Sequence, residues 1–241
     1  MSGPVLAGGG PVIPSFGKAD KCITHHHWFC RSWVEKHWSD ILQPALIQHI
    51  ELTLIAVGMG FGIAFVMALV GFRFRVLDAP LGAFGDFLYA LPSLSLFVIL
   101  VPITGLSWTT IEIPLVAYTL FILYRNTISG LKAVPADVLE SAQGMGLTGK
   151  QTFFRVRLRL AVPAIIAGLR IAMVSTISIA TIAAFLVADG LGKPIFDALE
   201  APDIFKTELV AASALVVGLA LVADGLLFLA QRALTPWERA R

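Results

Sequence analysis

Three places along the chain carry side chains whose type and spacing could do chemistry. Near the N-terminus, His25, His26 and His27 stand between Cys22 and Cys30. Imidazole and thiolate bind Zn²⁺ and Cu. Their spacing fits no usual zinc finger, and three consecutive histidines cannot all face one ion. No metal site is expected, and these five residues are the ones that would supply it. Cys22 and Cys30 could instead close a local disulfide on an oxidising side. Second, Gly144-Met-Gly-Leu-Thr-Gly149-Lys150 matches the first seven positions of a phosphate-binding P-loop. The eighth is Gln151, where Ser or Thr would hold Mg²⁺, and a helical pattern precedes it instead of a strand. The run reads as a glycine corner. Third, Arg125, Arg170 and Asp224 interrupt apolar stretches. Such charges are functional candidates by default. Arg125 and Arg170 sit near expected inner ends, where long side chains snorkel. Asp224 requires a partner inside the bundle or water. No nucleophile–base set or metal triad survives, so no enzyme activity is expected.

The most informative segment is Val134 to Pro163. Pro135 suits a first helical turn. Asp137 and Glu140 have capping-box spacing, with Asp137 as the cap. Gly144 and Gly146 permit the positive φ that ends a helix. A second helix starts at Thr148, with Gln151 completing another capping box. The pattern encodes a short helix, a glycine corner and a second helix leading on toward Pro163. That is a projecting knob, shaped to be gripped.

The elements that must position these residues follow from composition. Of 241 residues, 57% are hydrophobic and 14% charged, against roughly 25% charged in average soluble domains. The mean hydropathy is +0.82. A soluble globule could not hide so much apolar side chain, and disorder is excluded on the same figures. A net charge of +2 leaves no nucleic-acid footprint. Five apolar stretches each approach the length of a membrane span: 52–72, 87–103, 113–131, 161–188 and 209–230. No period-two alternation suggests a barrel. The expectation is an all-α integral membrane protein with about five transmembrane helices. Lys and Arg gather after the first span, between the third and fourth, and after the fifth. Since such residues collect in the cytoplasm, the N-terminus is expected outside and the C-terminus inside. Residues 1–45 read as a tail with an amphipathic interfacial helix around Trp33 and Trp38. Residues 46–232 form the membrane domain, with the 132–162 loop cytoplasmic, and 233–241 form a cytoplasmic tail. Gly58, Gly60 and Gly62 could allow close helix approach.

The run Glu140-Ser141-Ala142-x-x-x-Gly146 resembles the EAA motif of permease subunits of type I ATP-binding-cassette importers. Ser141 replaces the usual second alanine, and Val156-x-Leu158-Arg159 stands where the family continues Ile-x-Leu-Pro. His49-Ile-Glu-Leu-Thr, Leu91-Pro-Ser-Leu, Arg125-Asn-Thr and Asp189-Gly-Leu-Gly192 resemble the subgroup that imports glycine betaine, carnitine or choline. The resemblance covers about residues 46–232. It implies that Asp137, Glu140, Ser141, Ala142, Gly144 and Gly146 form a loop that docks on an ATPase. It implies further partners: a second permease subunit, identical or paralogous, two cytoplasmic ATPase subunits and an extracytoplasmic binding protein. ATP and Mg would be held by the ATPase, with no cofactor in this chain. A bacterial plasma membrane location follows. A methionine-type permease is the alternative within the superfamily. An autonomous channel or secondary carrier is the alternative from another class, although no inverted repeat is present.

Overall fold

The computed structural model describes residues 27–201 and 205–237, all helix and connecting turns. Cys22, His25 and His26 lie outside the described residues. Cys30 is buried and disulfide-bonded. No group of three metal-ligating side chains occurs among the described residues.

Helix α1, Arg31–His37, runs through a π turn at Trp38–Leu42 into α2, Gln43–Arg73. The segment expected to lie in the interface is thus joined to the first span as one rod. Its Trp33 and Cys30 are buried against Ala211 and Ala212. Helices α3, Arg75–Ala90, and α4, Ser93–Thr104, follow. Then come α5, Trp108–Lys132, α6, Ala136–Gly144, and α7, Gly149–Thr152. A second π turn at Phe153–Arg157 leads into α8, Leu158–Ala183. The chain ends with α9, Gly192–Glu200, and α10, Lys206–Leu234.

Among the described residues, three rods are long and apolar enough to cross a membrane: 31–73, 149–183 and 206–234. The bent pair α3–α4 makes a fourth if taken as one span. Helix α5 does not reach that apolarity, although its 25 residues measure about 37 Å, long enough for a span. It is less apolar because it packs on α2, α8, α3 and α4, so protein surrounds it. That setting admits Thr110, Thr119 and Thr127 as buried residues. Two expected boundaries change. The second stretch is no straight span: the axis turns by 92° between α3 and α4. Pro92 has no N–H and forces Leu91 into extended backbone, at φ −70° and ψ 134°. The carbonyl freed at Leu91 accepts the Tyr118 hydroxyl. The fourth helix stops at Ala183, short of the expected 188, and continues as turns.

Of Gly58, Gly60 and Gly62, expected to allow close approach, only Gly60 serves the packing. A Cβ on Gly60 would fall 1.7 Å from Thr119 Oγ1, whereas Gly58 and Gly62 face open space. The α2–α5 contact therefore closes at Gly60, beside the core of Ala64, Ala68, Leu123 and Tyr124.

Candidate functional site

Helix α6 starts differently from its expected pattern. Pro135, with φ −56° and ψ 143°, takes the cap position and no side chain caps the helix. Asp137 falls in the first turn, where its charge still complements the helix dipole. Its carbonyl accepts the Ser141 hydroxyl at 2.8 Å. The Asp137–Glu140 capping box does not form, because Pro135 moves the start one residue ahead of Asp137.

The corner is a Schellman turn. Gly146 N–H donates to Gln143 O at 2.8 Å and Leu147 N–H to Ala142 O at 3.2 Å. Gly146 has φ +80°. Gly144, expected to share this role, is the last α-helical residue and has no positive φ. A Cβ at Gly146 would meet nothing within 4 Å, so the left-handed backbone requires glycine and close packing does not. The capping box at Thr148 forms as expected: Thr148 N–H donates to Gln151 Oε1 at 2.9 Å, and Gln151 N–H returns to Thr148 Oγ1 at 3.4 Å. The P-loop-like run is thus half helix end and half capped helix start.

The underside of the knob is fixed to the bundle. Phe153 packs near Phe72, with ring centroids 5.8 Å apart, beside Leu131, Ala161 and Ile165. Arg157 Nη1 donates to Leu131 O at 2.8 Å, and its guanidinium lies 4.9 Å from the Phe72 ring. Both contacts bind the π turn to the ends of α2 and α5. Lys132 pairs with Asp78, and the Tyr124 hydroxyl donates to the Asp78 carboxylate at 2.8 Å, which ties α3 to the same end. The outer side faces solvent. Asp137, Glu140, Ser141, Gly144 and Gly146 are exposed, Met145 is 73% exposed, and Ala142 is buried beneath them. No nucleophile–base pair is present there. The arrangement offers two carboxylates and a thioether on a rigid mount, suited to transmitting force.

Several polar partners escape any reading of spacing. Arg125 Nε donates to Asp86 at 3.2 Å, so it pairs within the protein where snorkelling was expected. Arg170 pairs likewise with Asp224, which finds the partner its depth requires. His49 is fully buried. Its Nδ1 accepts Leu191 N–H at 3.2 Å, so the proton sits on Nε2, which donates to Ile177 O at 3.1 Å. These partners lie 142 and 128 residues away. Glu112 is buried with neither carboxylate oxygen hydrogen-bonded among the described residues.

The sequence of the family described as binding-protein-dependent transport system inner membrane component matches residues 46–238. The glycine betaine/carnitine/choline transport system permease protein of Bacillus subtilis is 31% identical over 190 residues, covering 78% of this chain and 86% of that one. The osmoprotectant import permease protein of Salmonella typhimurium is 32% identical over 200 residues, covering 81% and 92%. The ergothioneine transport permease/ergothioneine binding protein of Helicobacter pylori is 40% identical over 139 residues, 58% of this chain. The match spans only a quarter of that longer protein (25%). Among solved structures, the inward-facing MetNI methionine ABC transporter superposes with TM-score 0.70 at 17% identity. It covers 83% of this chain and 99% of that one, a likeness of fold.

Proposed function

The chain belongs to the inner-membrane components of binding-protein-dependent transport systems, and from that premise we propose that it is the permease subunit of an ATP-driven importer of a small osmoprotectant such as glycine betaine, carnitine or choline. The observation that carries this reading is the solvent-facing α6–α7 knob, locked below by Phe153 and Arg157 and continuous with the long helix α8. A push on such a knob is delivered straight into a spanning helix. In this reading Asp137, Glu140, Ser141, Ala142, Gly144 and Gly146 form the ATPase contact. Two cytoplasmic ATPases hold the ATP and Mg, a second permease subunit completes the path, and a binding protein outside delivers the cargo. Residues 46–232 make up the permease domain, with 1–45 outside and 233–241 in the cytoplasm.

Two relatives matched over most of their length are named for quaternary-ammonium solutes, which favours that cargo. The test is uptake of labelled glycine betaine, carnitine and choline at raised osmolarity, by cells carrying this subunit with its ATPase and binding protein. Uptake that needs this subunit supports the reading. Failure of all three, with methionine uptake that depends on the chain, assigns it to the methionine-type permeases.

A further inference from the structure

Two charges stand deep within helices long and apolar enough to cross a membrane. Arg170 lies more than three turns from either end of α8, and Asp224 nearly three turns from the end of α10, at about 3.6 residues per turn. The Arg170 guanidinium donates to both Asp224 oxygens, at 2.7 and 2.8 Å. Phe228, one turn after Asp224, lies 5.2 Å from the same guanidinium. The pair is satisfied but not sealed. Its side chains are 29% and 36% exposed, and they open on a groove of about 500 Å³ lined by Ala167, Ile171, Val174 and Ser175. The same face of α8 continues with exposed Ser178. A charge pair facing hydrocarbon at this depth is costly, whereas such residues are kept where they face a water-filled cavity.

We propose that this groove is part of the substrate path, and that Arg170 and Asp224 together receive a zwitterion. The inference rests on the osmoprotectant reading of the cargo and adds the residues that handle it. The carboxylate of the cargo takes the place of the Asp224 carboxylate on the Arg170 fork. The quaternary ammonium settles against the freed Asp224. Each charge keeps an opposite neighbour throughout, so no uncompensated ion arises at bilayer depth. Guanidinium matches a carboxylate by two parallel hydrogen bonds. A quaternary ammonium has no N–H, so it is held by charge, which Asp224 supplies. Phe228 holds the guanidinium in place while its partner changes. The internal pair competes with the cargo, which keeps the site weak and lets cargo leave. Choline carries the cation without a carboxylate, so it engages Asp224 but leaves Arg170 without an anion. Arg170 therefore favours zwitterions over simple cations.

The experiment uses the assembled importer in proteoliposomes with saturating binding protein, and compares initial rates for glycine betaine and choline. The choline-to-glycine betaine ratio is independent of how much transporter inserts. For Arg170→Gln the ratio rises at least about tenfold, as expected for loss of a hydrogen-bonded charge contact. Arg170→Lys, which keeps the charge and loses the fork, shifts it the same way by less, and serves if Arg170→Gln does not assemble. A ratio that does not rise, whether both rates fall together or neither does, overturns the proposal and leaves the pair as a staple between α8 and α10. Absence of uptake of both solutes by the unsubstituted importer overturns the cargo reading itself, before any variant is compared.

Discussion

Substitution of Gly146 separates backbone demand from packing at the α6–α7 corner. The residue sits at φ +80° with no atom within 4 Å of where a Cβ would stand. Any loss on substitution is then conformational. An L-residue in the left-handed region costs roughly 1–2 kcal/mol, which is a factor of about 5–30 in the equilibrium between the native corner and others. Gly146→Ala should weaken ATPase capture by the purified permease toward the lower end of that range. Gly146→Val, β-branched, should reach or exceed the upper end. Gly146→Asn should retain most binding, since asparagine tolerates the left-handed region. Gly149→Ala, outside the residues assigned to the ATPase contact, is the control. That position is helical and open, with no positive φ, so the change should leave binding unaltered. The assay is titration of the ATPase onto detergent-solubilised permease, followed by transport in vesicles. If Gly146→Asn is as damaging as Gly146→Val, φ is not the cause. If Gly146→Val binds and transports normally, the knob is not the coupling element.

Three other outcomes follow from the packing. His49→Ala removes the partner of Leu191 N–H and one of the donors to Ile177 O, which keeps the Thr181 hydroxyl, and with the loss of a buried ring should destabilise the subunit by about 2–4 kcal/mol; an unchanged melting temperature would exclude His49 as the link between α2, α8 and the 184–191 turns. Glu112→Gln removes a carboxylate buried without a hydrogen bond among the described residues and should raise the melting temperature of the complex, by the few degrees that about 1 kcal/mol represents; a fall would mean that another subunit supplies its partner. For orientation, single cysteines at Ser107, Ala136 and Ala201 in a cysteine-free background are labelled with an impermeant maleimide on intact cells. Positions 107 and 201 should react, and labelling of 136 alone would invert the topology.

The membrane class, the helical content and the knob were legible in the residues because each is a local property. Apolar run length follows from composition, and the Thr148–Gln151 box and the Gly146 turn are set within a few residues. Local reading failed where two rules competed over one position. Asp137 was the expected cap and Pro135 a first-turn residue, and the fixed proline φ instead put Pro135 at the cap position. Gly144 and Gly146 were both candidate corners, and the hydrogen-bond register chose the second. The break at Leu91–Pro92 was hidden because apolar residues continue on both sides of it, from Phe87 to Ile103. Pairing was beyond the sequence altogether. Arg170 meets Asp224, Lys132 meets Asp78, and His49 meets Leu191 only because distant helices cross at those levels. Sequence spacing could say that Asp224 needed a partner at its depth; only the crossing of α8 and α10 decided that Arg170 is that partner and that the pair stays open to a groove.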